Sequence, residues 1–172
     1  VMGAAQEWIN NPPPNCWMAA CANPVEQSTA GVELAAPVVN RMCVLEWDVP
    51  LQGILAGWES GFLAYPDPII PIVPADYLQV NGKYWGEQLH QFRSRYPDLF
   101  EDGFPKDPNQ ASEPWLSYRS MTNCGKLMAA CDAVGANKAT RCKLINGTIG
   151  RAAGKQFQTH IADMELPNPE DL

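Results

Sequence analysis

The stretch from Pro12 to Pro24 restricts the fold more than any other. Pro12-Pro13-Pro14 ends any helix that precedes it, because successive prolines have no backbone donors for the helical ladder. Asn15-Cys16-Trp17-Met18-Ala19-Ala20-Cys21-Ala22 is then almost wholly apolar and closes on the turn opener Asn23-Pro24. An apolar run of this length between turn residues reads as a strand at about 16–22, covered on both faces, and such strands belong to parallel sheets. One other segment reads the same way: Met42-Cys43-Val44-Leu45-Glu46-Trp47, stopped by Asp48-Val49-Pro50. Two strands do not make a stable parallel sheet. The expectation is therefore a side-by-side parallel pair from a larger sheet whose other strands lie upstream.

The rest of the chain reads as helix. Val1 to Ile9, with Ala4, Ala5, Trp8 and Ile9 as its apolar positions, opens as if in the middle of a helix and without an initiating Met, which suggests a piece of a longer protein. Leu34 to Arg41 reads as a short helix between the two strands. After Pro50 the character changes: a helix over Leu51 to Trp58, then a connector over 61–75 holding Pro66, Pro68, Pro71 and Pro74. From Asp76 a long amphipathic helix carries Leu78, Trp85, Leu89, Phe92 and Tyr96 and stops before Pro97. A loop over 97–116 precedes helices at about 118–134, 138–149 and 151–164, with Gly135 as a C-terminal cap and Asn137 as an N-cap. Ile145, Ile149, Phe157, Ile161 and Met164 form one apolar stripe. The fold class is thus an α/β remnant, residues 1–50, followed by an all-α bundle, residues 51–172.

Hydrophobic residues make up 46% of the 172 and charged residues 18%, enough apolar material for a packed core. The formal net charge of −7 repels phosphate backbones, which argues against nucleic acid as the main partner, and no local basic patch is evident. No apolar run approaches the ~18 residues a membrane span needs. The six cysteines form no C-x-x-C pair and most sit among apolar neighbours, as reduced core thiols do in the cytoplasm, with a disulfide set as the alternative. In that compartment the glycosylation triplet Asn146-Gly147-Thr148 has no role.

Three residues stand where chemistry could use them. Asn23 ends the first strand, where open α/β sheets place their ligands, although Asn-Pro also serves simply as a turn. Arg41 ends the short helix, a position the helix dipole by itself favours for a cation. Arg119 lies in the first turn of its helix, where the dipole disfavours a cation unless an anion or carboxylate faces it; Glu113 or solvent is the alternative. His90 and His160 each lack a second ligand at helical spacing, so no metal site is expected. Glu26 and Glu33 read as capping or dipole contacts, and Trp47, Trp58, Trp85 and Trp115 as core.

Taken in order, these segments resemble a known family. "MAACANPVEQSTAGVELAAPVVNRM" is similar to the part of MoxR-like AAA+ ATPases that runs from the sensor 1 strand through the arginine-bearing helix. "SYRSMTNCGKLMAACDAVGA" resembles their lid helix with the sensor 2 arginine, and "KQFQTHIADMELPNPEDL" their closing helix and tail. The resemblance implies that Asn23 reaches the γ-phosphate of ATP and Arg119 binds the same nucleotide. It implies that Arg41 acts on the nucleotide of a neighbouring subunit in a homo-oligomeric ring, hexameric by expectation. It further implies Mg²⁺ as the accompanying ion and an unidentified client protein that the ring remodels.

The departure from that family is large. No G-x-x-x-x-G-K-[ST] phosphate loop is present, and no acidic strand end to hold Mg²⁺. The nearest pieces, Asn123-Cys124-Gly125-Lys126 and Gly150-Arg151-Ala152-Ala153-Gly154-Lys155, fall in expected helices. The chain is therefore expected to be the C-terminal part of such an ATPase, inactive by itself. The alternative is a free-standing, non-enzymatic helical interaction domain.

Overall fold

The computed structural model describes residues 19–21, 35–47, 50–62, 69–101, 105 and 113–164. The expected N-terminal helix, Asn23, Glu26 and Glu33 lie outside them. Contacts divide the chain into two compact units, Val1–Glu33 and Leu34–Leu172. Of the first, only Ala19, Ala20 and Cys21 are described, none of them in a strand.

Within the second unit the described residues form α1 (Ala36–Val39), α2 (Leu51–Ser60), α3 (Tyr77–Arg95), α4 (Asp98–Glu101), α5 (Tyr118–Ala133), α6 (Lys138–Ile149) and α7 (Arg151–Met164). The helical bundle expected from the periodicity is present, and its ends follow local chemistry. α5 starts at a capping box in which the Ser120 N–H donates to Ser117 Oγ (3.1 Å) and the Ser117 N–H donates to Ser120 Oγ (2.8 Å). It stops where Gly135, at φ 63°, lets the Ala136 N–H reach back to the Cys131 carbonyl (2.8 Å). Asn137 then accepts the Thr140 N–H at 2.9 Å and starts α6. α3 carries Arg93 and Arg95 in its last turn, opposite the negative end of its dipole, and ends before Pro97.

The core lies between α3, α5, α6 and α7. Trp85 and Phe92 from α3 meet Met121, Cys124 and Met128 from α5, Ile145 and Ile149 from α6, and Phe157 from α7. Phe92 and Phe157 meet edge to face with centroids 5.0 Å apart, a geometry favoured by the ring quadrupoles. Of the expected stripe, Ile145, Ile149 and Phe157 are buried, Ile161 packs partly and Met164 is exposed. Trp85 is a core residue, but Trp47 and Trp58 are 87% and 67% exposed, against the expectation that they pack inside.

The main correction concerns residues 42–47, which form no strand. A strand needs a neighbouring backbone, and no ladder partner exists among the described residues. The segment instead lies as a strap along α6. The Val44 N–H donates to the Gly147 carbonyl at 2.7 Å, Cys43 Sγ approaches the Leu144 carbonyl at 3.8 Å, and Glu46 pairs with Arg151 at the start of α7. Gly147 stands in the last turn of α6, where carbonyls lack intrahelical partners, so the strap satisfies a group the helix leaves open. Only glycine permits this approach, since a Cβ at 147 would overlap the Val44 carbonyl oxygen.

Candidate functional site

The short helix α1 has Pro37 in its first turn, which suits a residue without a backbone donor, and it ends after one turn at Asn40. Asn40 is 3% exposed and both ends of its amide are hydrogen-bonded. Its Nδ2 donates to the Trp115 carbonyl (3.1 Å), and its Oδ1 accepts from Ser117 Oγ (2.7 Å). Ser117 is also the N-cap of α5, so the Asn40-Arg41 turn is fastened to the start of the helix that carries Arg119. The two segments are 77 residues apart in sequence.

Arg41 is exposed, and its Nη1 donates to the Pro37 carbonyl at 2.5 Å, which leaves most of its guanidinium donors unused by that contact. It lines an open cleft of about 300 Å³ with Met42 and Cys43 on the strap side. Asn123, Lys126 and Leu127 of α5 form the opposite wall, and Thr148 of α6 the end. Among the described residues no carboxylate lines this cleft. Among the described residues neither Arg41 nor Lys126 has an acidic partner. Burial raises the Cys43 thiol above its ordinary range, against a smaller opposing effect of its hydrogen bond with Thr148. Behind it, the fully buried Cys124 is pushed up to about 12 by burial, with the Cys43 and Cys131 thiols adding to the effect.

Arg119 is exposed in the first turn of α5 and makes no ion pair among the described residues, with Glu113 or otherwise. It does not line the cleft, but Arg119, Asn123 and Lys126 follow the i, i+4, i+7 spacing of one helix face. Lys126 and Asn123 had been legible only as a fragment of a phosphate-loop pattern. That fragment is helix throughout, and the second one runs from the α6–α7 junction into α7, so neither forms a phosphate loop. His90 is exposed and His160 buried. Among the described residues no group of three His, Cys, Asp or Glu could hold a metal ion. No helix among them is long and apolar enough to cross a membrane.

Two apolar surfaces complete the inventory. Leu51, Leu55 and Trp58 are exposed at helical spacing along α2. A groove of about 410 Å³ runs between Pro71 and Val73 of the connector and Leu127 of α5, Val134 at its end and Leu144 of α6, beside the exposed Ile69, Ile70 and Ile72. No family model, curated protein or solved structure matches the chain.

Proposed function

We propose that the chain is the C-terminal part of a MoxR-like AAA+ ATPase subunit, with residues 1–50 completing an α/β core and residues 51–172 forming the helical lid. ATP with Mg²⁺ would bind between core and lid of the intact subunit. Its hydrolysis would move the lid within a cytoplasmic homo-oligomeric ring, a hexamer by analogy, and so remodel a client protein. Residues 16–22 and 42–47 would pair as parallel strands only when the upstream strands stand beside them.

The observation that carries this reading is the Asn40–Ser117 link. Two segments distant in sequence, each resembling an arginine-bearing element of the family, are fastened together by partly buried hydrogen bonds. Such a link joins the end of the core segment to the lid, so lid movement would either carry the Asn40-Arg41 turn with it or break these bonds. In the ring, Arg41 would stabilise the charge developing on a neighbour's nucleotide, and Arg119 and Asn23 would contact the subunit's own.

The coding region upstream provides the test. A phosphate loop and an acidic strand end within about 200 residues, the scale of one domain, are expected. A start codon close to Val1 with no such motif would overturn the reading. A helical interaction module is the second reading, favoured by the exposed Leu51, Leu55 and Trp58 face, and that second outcome would leave it standing.

A further inference from the structure

We propose that the cleft between the strap and α5 is a binding site for a phosphate monoester, complete within this one chain. Arg41 and Lys126 hold the phosphate, the Asn123 amide donates to it, and Met42 and Leu127 face the organic part.

The distribution of charge comes first. The chain has 19 acidic and 12 basic residues, so an unpaired cation has carboxylates in excess to choose from. Several take one, among them Lys83 with Glu87, Arg95 with Asp163, Arg141 with Asp132 and Arg151 with Glu46. Among the described residues Arg41 and Lys126, like Arg119, take none, and the fold brings these two, from segments far apart in sequence, to one cleft with no described carboxylate on its walls. Two like charges at one cleft repel each other, and a dianion between them reverses the sign of that energy.

The side chains themselves favour an oxyanion. The Pro37 carbonyl fixes Arg41 through Nη1 alone, which pre-orients the rest of the planar fork. Lys126 supplies a mobile point charge, and Asn123, half-buried between Arg119 and Lys126, adds a neutral donor. The Met42 and Leu127 walls give the cleft an apolar side that a bare ion would leave unused. At about 300 Å³ it is of the smallest size ordinary for ligand sites, which suits a compact ester. The site needs no residue of a second subunit, but it shares Arg41 with the role across a ring interface proposed above. Lys126 and Asn123 belong to the cleft alone.

Phenyl phosphate is the probe, titrated into the 172-residue chain by calorimetry at low and at physiological ionic strength, beside inorganic phosphate. Saturable binding of phenyl phosphate is expected, tighter than that of inorganic phosphate. Arg41→Gln and Lys126→Gln should each weaken it by roughly tenfold, the usual effect of one charge-assisted contact. Lys155→Gln, an exposed cation outside the cleft, should change it less than twofold. A second readout is independent of variant folding: phenyl phosphate should slow alkylation of Cys43 by neutral iodoacetamide and leave that of Cys21 unchanged. The proposal is overturned by absence of saturable binding, by equal binding of the bare ion, by an effect of Lys155→Gln as large as the cleft substitutions, or by unprotected Cys43.

Discussion

Asp132 accepts the indole N–H of Trp85 at 2.6 Å through Oδ2, and its other oxygen pairs with Arg141, so one carboxylate on α5 joins α3 to α6. Arg141 also donates through Nε to the Ala136 carbonyl at 2.9 Å, which seats it against the end of α5. Asp132→Ala would leave a buried indole donor unsatisfied. It should cost about 1–2 kcal/mol, below the full value of a buried charged contact because the Asp132–Arg141 pair is only partly shielded from water. A cycle with Trp85→Phe, read by urea denaturation, should show a coupling of about 1 kcal/mol between the two positions. Strict additivity would remove the carboxylate from its joining role.

Gly147→Ala places a methyl group on the Val44 carbonyl oxygen, backbone against backbone, and neither can rotate away. The strap must leave α6. The expected cost is about 1–3 kcal/mol, and the sharper sign is local: Cys43, now half-buried, should alkylate faster than in the parent chain while the bundle stays folded by circular dichroism. An unchanged Cys43 rate would show that the strap tolerates the methyl group.

His160 makes stability depend on pH. The ring is 2% exposed, lies 5.5 Å from Phe92 by centroids, and packs beside Phe157. Burial lowers its pKa below 6.5, Arg95 on α3 lowers it further, and Gln88 and Asp163 partly oppose them. The unfolded chain therefore takes up this proton first as pH falls. Stability should be lost as pH drops through about 6.5 and level off once the folded ring also titrates, with a slope of at most about 1.4 kcal/mol per pH unit. His160→Phe should remove that part of the slope and His90→Gln, at an exposed site, should not. Equal slopes in all three chains would trace the acid sensitivity to other groups.

The thiols should separate by reactivity. At mildly alkaline pH, iodoacetamide should label the exposed Cys21 quickly and Cys43 slowly. Cys124, held at about 12, has roughly a thousandth of the thiolate of an ordinary cysteine at the same pH. It should react only on the timescale of unfolding, as mass spectrometry of the labelled peptides would report. Prompt native-state labelling of Cys124 would contradict its place in the core.

In the intact ATPase proposed above, Arg41→Ala should keep ATP binding but cut turnover by roughly 10³–10⁵, the range for an arginine acting on transition-state charge. Arg119→Ala should weaken nucleotide affinity as well. Rings mixed from Arg41→Ala subunits and subunits lacking their phosphate-loop lysine should regain turnover. If they assemble and stay inactive, Arg41 does not act across the interface.

Much of the bundle was legible in the sequence because periodicity and caps agree there. Trp85, Phe92, Ile149 and Phe157 fall at helical spacing, and Gly135 and Asn137 mark a stop and a start. Residues 42–47 were not legible: an apolar run bounded by turn residues suits a buried strand and a strap on a helix equally, and the choice depends on a carbonyl at Gly147, far along the chain. Asn40 was visible only as the neighbour of Arg41, since nothing local tells a buried hydrogen-bonding amide from a solvated one. The cleft was hidden for the same reason. Arg41 and Lys126 meet through tertiary packing, and only Arg41 stood at a position that sequence reasoning inspects.

The strap's hydrogen bonds and ion pair join residues 101 to 105 positions apart, whereas α5, α6 and α7 pack on their neighbours in sequence. Closing so long a loop costs more entropy than closing a helical hairpin, so in folding the strap arrives after the bundle has something to receive it. Held by few contacts, it is also a low-energy opening unit of the native state. The Val44 amide should exchange with solvent deuterium well before those around Phe92 and Met128. Each such opening separates Met42 and Cys43 from Lys126, so the cleft comes and goes on the timescale of strap release while the bundle beneath it stays closed.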